Sequence, residues 1–430
     1  MSLPKLHLSQ LFPNLDRQIL ILAMGRLLSQ IGTGFTLFYA PIFFVNQVGL
    51  STTSVGIALS SAQISGIIAR FLGGSFSDSQ FFGRRITLLL SLILSALASV
   101  IMAIANNFYT VAIGNLLLGL GIGLYWPAME AIVADLTVAT ERKEAYAVTR
   151  LADNIGLQLG IIFGGIVVNF TGAYRALFIV DSISFLIFAG VIYLAVKETY
   201  KPVKSNHKIE TERQKNINGW LLAFSDRNLI IFVMVNVFFT FYISQIHSTI
   251  PLYLNNFVSG NFSPLIISAI FTGHTALTVI FQLPVARKLR NFSHPQALII
   301  SAILWGLGFF VIGITGIVEI GNILFTTLAL SLFAIAIISY TPSASALVAD
   351  LAPESLRGIY LAINAQCWAI GFLIGPLLGG WVLDRTQIVV NIFWLSMVIT
   401  VGITVGVLQY LDRRLMSENL TNREGVGSRK

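Results

Sequence analysis

Residues 125–136 of the chain read YWPAMEAIVADL, and residues 340–351 read YTPSASALVADL. The match continues without a gap through residues 125–165 and 340–380, at an offset of half the 430-residue chain. Apolar bias alone does not place a Pro, an Asp, an Arg and four Gly in one register, so the sequence predicts two copies of one structural unit. Beyond the first stretch the recurring residues are Arg142, Gly156, Gly160, Gly164 and Gly165, matched by Arg357, Gly371, Gly375, Gly379 and Gly380.

The composition places both copies in a membrane. Hydrophobic residues make up 55% of the chain and charged residues only 11%, and the mean hydropathy is +0.81. A soluble globular chain has about 25% charged residues, because polar groups must cover much of its surface. The sequence therefore predicts a polytopic membrane protein.

Twelve apolar segments are long enough to cross ~30 Å of hydrocarbon, which takes roughly 20 residues of helix. The longest polar stretch, residues 197–226, separates the first six segments from the last six. The predicted fold is an all-α integral membrane protein with two pseudo-symmetric six-helix bundles, residues 1–196 and 227–430, joined by the linker 197–226. The predicted spans are 18–46, 54–77, 85–105, 109–134, 145–169, 175–196, 227–256, 263–286, 296–316, 320–346, 357–382 and 387–411.

The basic residues indicate the orientation of the spans. If the amino terminus is cytoplasmic, most of the 27 Lys and Arg residues fall in inner segments, and only Arg175 and Arg385 fall in outer loops. This asymmetry is the positive-inside pattern. We therefore expect both termini on the cytoplasmic side of a plasma or inner membrane. The net charge of +8 is then a topology signal, and no nucleic-acid partner is predicted.

Enzyme, metal and cofactor chemistry find no support in the sequence. The single cysteine, Cys367, excludes a disulfide framework. The five histidines are scattered without the spacing of metal ligands, and neither a phosphate-binding loop nor a nucleophile elbow is present. We expect a monomeric protein that is not an enzyme, has no cofactor or metal, and has the bilayer, a small-molecule substrate and protons as its partners.

The loop between the second and third spans, residues 74–85, reads GSFSDSQFFGRR. Its Gly, Asp, Gly and paired basic residues resemble the signature loop of the major facilitator superfamily, and the twelve spans and two halves extend the resemblance over the chain. Among its subfamilies the chain is most similar to twelve-span drug:proton antiporters. The resemblance implies a cytoplasmic gate, whose predicted residues are Gly74, Asp78, Gly83, Arg84, Arg85, Asp135, Arg142, Asp350 and Arg357.

Ionisable residues within the spans are concentrated in the first half. An Arg or Asp at the middle of a span costs about 2.5–3.5 kcal/mol by insertion scales, so such a residue is expected to face the protein interior with a partner. The proton-coupling candidates are Glu130, Arg26, Arg70, Arg150 and Asp153. The positions half a chain later hold no acid or base, so we assign ion coupling to the first half.

Glu130 is the leading proton carrier in this interpretation. Burial favours the neutral form of a Glu and a nearby Arg favours the charged form, so a carboxylate that gains and loses an Arg partner can take up and release a proton. Replacing Glu130 by Gln is expected to abolish transport driven by a pH gradient and to leave substrate binding. The alternative is a static pair in which Glu130 and an Arg hold span 4 against span 1 or 2.

Other buried charges also have alternative roles. For Arg150 and Asp153 the alternative is pairing in the gate, and Asp181 is expected to be a cap or a pair near the outer end of span 6.

Helical geometry selects candidates for the substrate cavity. At 100° per residue, polar side chains of spans 1, 2, 4 and 5 fall on one stripe of each helix. Gln245 and His247 are about 200° apart on span 7 and cannot share a cavity, and the repeat favours Gln245. The cavity candidates are Gln30, Thr33, Gln63, Asn115, Trp126, Asn154, Gln245, His247 and His274.

The function expected from these features is secondary active transport by alternating access. Proton-coupled efflux of small amphipathic molecules is favoured because spans 7, 8, 10 and 11 carry few inward polar groups. A sugar or organic-acid carrier working by symport or uniport is the alternative, and a non-transporting receptor is a third class.

Overall fold

The computed structural model describes residues 17–138, 142–200, 220–258, 262–318, 320–353 and 356–427. These segments are helical, with no strand among them. The helices are α1 (Arg17–Asn46), α2 (Thr52–Ser77), α3 (Gly83–Ile104), α4 (Phe108–Asp135), α5 (Arg142–Thr171), α6 (Tyr174–Ala195), α7 (220–225), α8 (Arg227–His247), α9 (Thr249–Asn256), α10 (Pro264–Leu289), α11 (His294–Thr315), α12 (Asn322–Leu351), α13 (Arg357–Leu383) and α14 (Gln387–Gly427).

Twelve of these helices, all except α7 and α9, are long and apolar enough to span a membrane. The predicted fold class and span number are therefore confirmed. The short helix α7 lies within the polar stretch that separates the two sets of six.

Two predicted spans differ most from the structure. The seventh, predicted as 227–256, is broken between α8 and α9 at Ser248. Pro251 favours the break, because it has no N–H to donate to His247, four residues earlier, and its ring crowds that carbonyl. The twelfth, predicted to end at 411, continues as helix to Gly427, because the polar residues that end the apolar window do not end a helix.

The chain divides into two compact units, Met1–Leu50 with Ile57–Val203, and Ser51–Gly56 with Lys204–Lys430. In the first unit α1 packs on α5 and α6, and α3 packs on α4 and α6. In the second unit α8 packs on α13 and α14, and α11 packs on α12 and α14. The same four helix pairings thus recur in both units, in the order that the sequence repeat predicts.

Small residues allow the closest of these pairings. A Cβ added at Gly160 of α5 would collide with the main chain of α1 at Ile31 and Gly34. In the second unit, a Cβ at Gly371 of α13 would collide with the main chain of α8 at Thr240 and Phe241. Glycines four residues apart on one face therefore bring the first and fifth helices of each unit into backbone contact.

Candidate functional site

A buried ion pair joins α1 to α5 in the first unit. The Arg26 Nε donates to Oδ1 of Asp153 at 2.8 Å, and the Arg26 Nη2 donates to Oδ2 of the same carboxylate. Arg26 is only 2% exposed and the Asp153 side chain 10% exposed. Two parallel hydrogen bonds from one guanidinium fix both the distance and the orientation of the two helices.

Aromatic rings of α4 cover this ion pair. The Arg26 Cζ lies 5.9 Å from the centre of the Tyr125 ring and 5.5 Å from that of Trp126. The Arg150 Cζ lies 4.4 Å from the centre of the same Trp126 ring. Trp126 is therefore in cation–π range of two arginines, one on α1 and one on α5.

A second ion pair lies between α4 and α5. The Arg150 Nη2 donates to Glu130 Oε1 at 2.8 Å, and both side chains are about half exposed, at 51% and 49%. The alternative of a static pair between Glu130 and an Arg of span 1 or 2 is wrong in its partner, because the Arg comes from α5, and Glu130 is half exposed rather than deeply buried. A helical stripe defines the face of a residue but not which neighbouring helix covers it, and here α5 supplies the partner.

The remaining coupling candidate, Arg70 on α2, is half-buried. In the described part of the chain it forms no ion pair. The structure thus brings Arg26, Glu130, Arg150 and Asp153 together around Trp126 and leaves Arg70 apart from them.

A cavity of about 250 Å³ opens inside the first unit. Its walls are mostly apolar and aromatic, with a few hydroxyl, amide and carboxyl groups, a composition typical of small-molecule sites. Three of the predicted cavity residues, Gln30, Thr33 and Trp126, line it. The other lining residues are Ser29, Thr36, Leu37, Ser95, Leu118, Ile122, Tyr125, Leu157, Asp181 and Phe185.

Three further cavity candidates of the first unit lie elsewhere. Asn115 is buried and donates to the Val111 carbonyl of its own helix at 3.0 Å. Gln63 is half-buried and Asn154 is exposed, and neither lines this cavity. The candidates do share one face of each helix, as predicted. Neighbouring helices cover part of that face, so only some of its residues reach the cavity.

The candidates of the second unit are separated from one another. Gln245 is fully buried, and its Nε2 donates to the Phe241 carbonyl at 3.3 Å. His247 stacks on the Phe372 ring with the ring centres 6.0 Å apart. The Nδ1 of His274 lies 2.7 Å from the Leu330 carbonyl oxygen.

A polar network that the sequence analysis missed joins three helices of the second unit. The Asn236 Nδ2 donates to Asn364 Oδ1 at 2.7 Å, and the Tyr340 hydroxyl donates to Asn236 Oδ1 at 2.6 Å. Tyr340 was visible as the repeat of Tyr125, but no repeat match marked either asparagine.

The predicted gate loop is held within the first unit. The Arg84 Nη1 forms an ion pair with Asp135 Oδ2, at the end of α4, whereas Asp78 is 73% exposed and 3.8 Å from Arg84 Nη2. Gly83 has φ of +64°, in the left-handed region, and a Cβ there would also collide with Glu198.

Glu198 is a further residue of this loop that the sequence analysis missed. Its carboxylate accepts the main-chain N–H groups of Arg84 at 3.0 Å and Arg85 at 3.1 Å. A negative charge at the amino terminus of a helix is favourable. The signal that could have revealed it is an acid directly after the last span of the unit.

The other predicted gate residues have separate surroundings. The Arg85 Nη2 donates to the Tyr193 carbonyl, and Gly74 has open space around its Cα. In the second unit Asp350 Oδ2 lies 3.2 Å from His294 Nε2. The side chains of Arg142 and Arg357 lie outside the described residues.

Twelve membrane-length helices, a repeated six-helix unit and charged groups buried beside a cavity define a multi-pass membrane protein with the architecture of secondary transporters. The sequence profile of the Major Facilitator Superfamily matches residues 22–260 and 254–428. The chain belongs to this superfamily, which confirms the resemblance found in the sequence.

Similar proteins support the same conclusion. The chain is 24% identical over 374 residues to the Na(+), Li(+), K(+)/H(+) antiporter of Planococcus maritimus, covering 79% of this chain and 83% of that one. It is 24% identical over 406 residues to the multidrug resistance protein MdtH of Yersinia enterocolitica, covering 93% and 96%. A solved structure of the nucleoside transporter NupG has the same fold, with a TM-score of 0.76 at 14% identity, over 91% of this chain and 99% of that one. The protein is a secondary transporter.

Proposed function

We propose that the protein is a proton-coupled exporter of small amphipathic molecules that works by alternating access. The observation that carries this proposal is the cluster around Trp126, where two arginines share one ring and each arginine has its own carboxylate partner. The adjoining cavity is largely apolar, as amphipathic molecules require. The names of two relatives, a multidrug resistance protein and a cation/proton antiporter, agree with this class.

The cluster provides a physical route to coupling. A substrate that enters the cavity and packs on Trp126 competes with the guanidinium groups for the face of the ring. A displaced arginine returns to its carboxylate, where its positive charge favours the ionised form and drives off a bound proton, whereas a protonated carboxyl leaves the arginine on the ring. Substrate and proton then exclude each other from the first unit, as an antiporter needs.

The proposed orientation places both termini and the signature loop on the cytoplasmic side of a plasma membrane, because that side then holds most of the Lys and Arg residues. In this orientation the ion pair Arg84–Asp135 and the contact between Asp350 and His294 lie at the cytoplasmic ends of their units. We assign them to the gate. The protein is proposed to act as a monomer.

The test uses the purified full chain in liposomes with an imposed pH gradient. The expected result is movement of cationic dyes against their gradient, which stops when a proton ionophore collapses the pH difference. Asp412→Asn, an acid change in the second unit, is the matched control for Glu130→Gln and Asp153→Asn. Dye movement that ignores the pH gradient contradicts the coupling, and movement of sugars or organic acids instead of dyes selects the alternative carrier.

A further inference from the structure

Asp181 of α6 is a buried acid that lies outside the ion-pair cluster, which consists of the pairs Arg26–Asp153 and Arg150–Glu130 around Trp126. It is 1% exposed and lies seven residues inside its helix, so of the two roles expected from the sequence, a cap or a pair, the cap is wrong. The Thr36 hydroxyl of α1 donates to Oδ2 at 2.6 Å, and the Ser99 hydroxyl of α3 donates to the same oxygen at 2.7 Å. Among the described residues, Oδ1 is buried and has no hydrogen-bond partner.

Among the described side chains, no cation faces this carboxyl from the helices packed around it. Arg26 of α1 is engaged by Asp153 of α5, and Arg150 of α5 by Glu130 of α4. On its own helix, Arg175 donates to the Ala103 carbonyl and to Asn106 instead. The other described ionisable side chains on these helices are Arg17 and Tyr39 of α1, Arg84 and Arg85 of α3, Tyr109, Tyr125 and Asp135 of α4, Tyr146 of α5, and Tyr174 and Tyr193 of α6.

The two arginines of α3 also bond to groups other than Asp181. Arg84 pairs with Asp135, and Arg85 donates to the Tyr193 carbonyl. The Tyr39 hydroxyl donates to the Ile161 carbonyl at 2.8 Å. The groups bonded to the Asp181 carboxyl in the described structure are therefore neutral hydroxyls.

Asp181 also lines the cavity that reaches Trp126. The polar side chains of Thr36, Thr33 and Tyr125 line the same cavity. The Tyr125 hydroxyl is, like Asp181 Oδ1, buried without a hydrogen-bond partner in the described part of the chain. A cavity of about 250 Å³ has room for several water molecules, which need about 10–15 Å³ each by the same kind of measure.

Gly32 of α1 makes the position of the carboxyl possible. A Cβ at Gly32 would collide with Asp181 Oδ1 and with the Ser184 hydroxyl. The repeat positions in the second unit are His247 and Ser396, so this acid and its glycine have no counterpart there. The site belongs to the unit that holds the ion-pair cluster.

An ionised carboxylate with one unbonded oxygen is costly to bury without a cation, whereas a neutral carboxyl group is far less so. We propose that Asp181 is a proton-binding residue of the transport cycle, with its proton on Oδ1 and the polar wall of the cavity as the path toward the ion-pair cluster. This assignment rests on the proposed proton coupling. When the proton leaves, Thr36 and Ser99 hold the carboxylate, and protonation restores the neutral acid.

The first test is independent of transport. The purified full chain is titrated with pH in detergent, and the infrared C=O band of protonated carboxyl groups is followed. We expect a band that disappears as the pH rises and that Asp181→Asn lacks. Ser184→Ala is the matched control, because its hydroxyl donates to the Asp181 main-chain oxygen at 2.7 Å and not to the carboxylate. A band that persists unchanged in Asp181→Asn overturns the proposal.

A second variant covers the case in which Asp181→Asn does not fold. Thr36→Val keeps the acid and removes one donor to its charged form, so the midpoint of the band is expected to move to higher pH by about one unit. An unchanged midpoint contradicts the assignment, because a purely structural carboxyl would not titrate in this way.

The transport assay separates this proposal from the proposed function. In liposomes, Asp181→Asn is expected to lose dye movement driven by a pH gradient and to retain exchange of labelled for unlabelled dye, which needs no net proton. Gradient-driven transport equal to that of the wild type overturns the role of Asp181. If the wild type moves no dye but its carboxyl band still depends on Asp181, the proposed substrate class is wrong. The proposal that Asp181 binds a proton is then still supported.

Discussion

The first and fifth helices of the two units pack alike and are joined by different chemistry. In the first unit α1 and α5 are joined by the ion pair Arg26–Asp153, whereas in the second α8 and α13 are joined by the amide pair Asn236–Asn364. The tyrosine of the repeat, at position 125 in one copy and 340 in the other, faces the arginine in the first unit and donates to the asparagine in the second. The repeat thus preserves the scaffold, and charge is concentrated in one copy.

The largest effect is expected from breaking the ion pair of the first unit. Asp153→Ala leaves Arg26 buried and unpaired, which costs about 3–5 kcal/mol of stability. The measurement is thermal unfolding of the detergent-purified protein. The double variant Arg26→Met/Asp153→Leu removes both charges and is expected to recover much of this loss while gradient-driven transport stays absent. A double variant that transports normally would show that the pair is only a structural link.

Removing the amide pair of the second unit is expected to lower the stability of the protein less. Asn364→Ala removes a neutral partner and leaves the Asn236 amide buried without it, at a cost of about 1–3 kcal/mol. Unfolding is measured as for the first unit, with Thr341→Ala, on the exposed face of α12, as the control. If Asn364→Ala destabilises the protein more than Asp153→Ala, the contrast between a charged and a neutral link is wrong.

A smaller pair of effects concerns the start of the third helix in each unit. In the first unit Glu198 accepts main-chain N–H groups of α3, and in the second Asp412 accepts from Ser293 and Gln296 at the start of α11. Glu198→Gln and Asp412→Asn are each expected to cost about 0.5–1 kcal/mol. Equal shifts in unfolding temperature would indicate that the two acids stabilise their helices in the same way. A lower unfolding temperature for only one variant would show that the two acids are not equivalent.

The smallest effect on stability is expected at the half-exposed pair. Glu130→Gln is predicted to change stability by about 0–1 kcal/mol, because water screens the Arg150 interaction. Gradient-driven transport is nevertheless expected to fall, since the carboxylate next to Trp126 is lost. A variant that unfolds at the wild-type temperature and transports at the wild-type rate would remove Glu130 from the coupling machinery.

Much of the fold could be predicted from the sequence. The number of spans follows from composition and segment length, and the repeat fixes which helices correspond. The break of the seventh span was also within reach, because Pro251 stands four residues after His247 and excludes a normal helical bond there.

The partners of the polar residues could not be predicted in the same way. Helical periodicity shows which face of α4 carries Glu130 but not that α5, rather than α1 or α2, covers that face. Asp181 was assigned to a helix end because its depth depends on where α6 begins, and burial by Thr36 and Ser99 depends on contacts with two distant segments. Such pairings depend on tertiary packing, for which a single sequence contains no direct signal.

The break at Ser248 gives the second unit a freedom that the continuous α1 lacks. The eight residues of α9 form a rod about 12 Å long, attached to α8 by one non-helical residue and packed on α10 and α13. The direction of α9 is therefore set by its own packing on α10 and α13 and is independent of the axis of α8. In the first unit the corresponding residues belong to α1 and keep its direction.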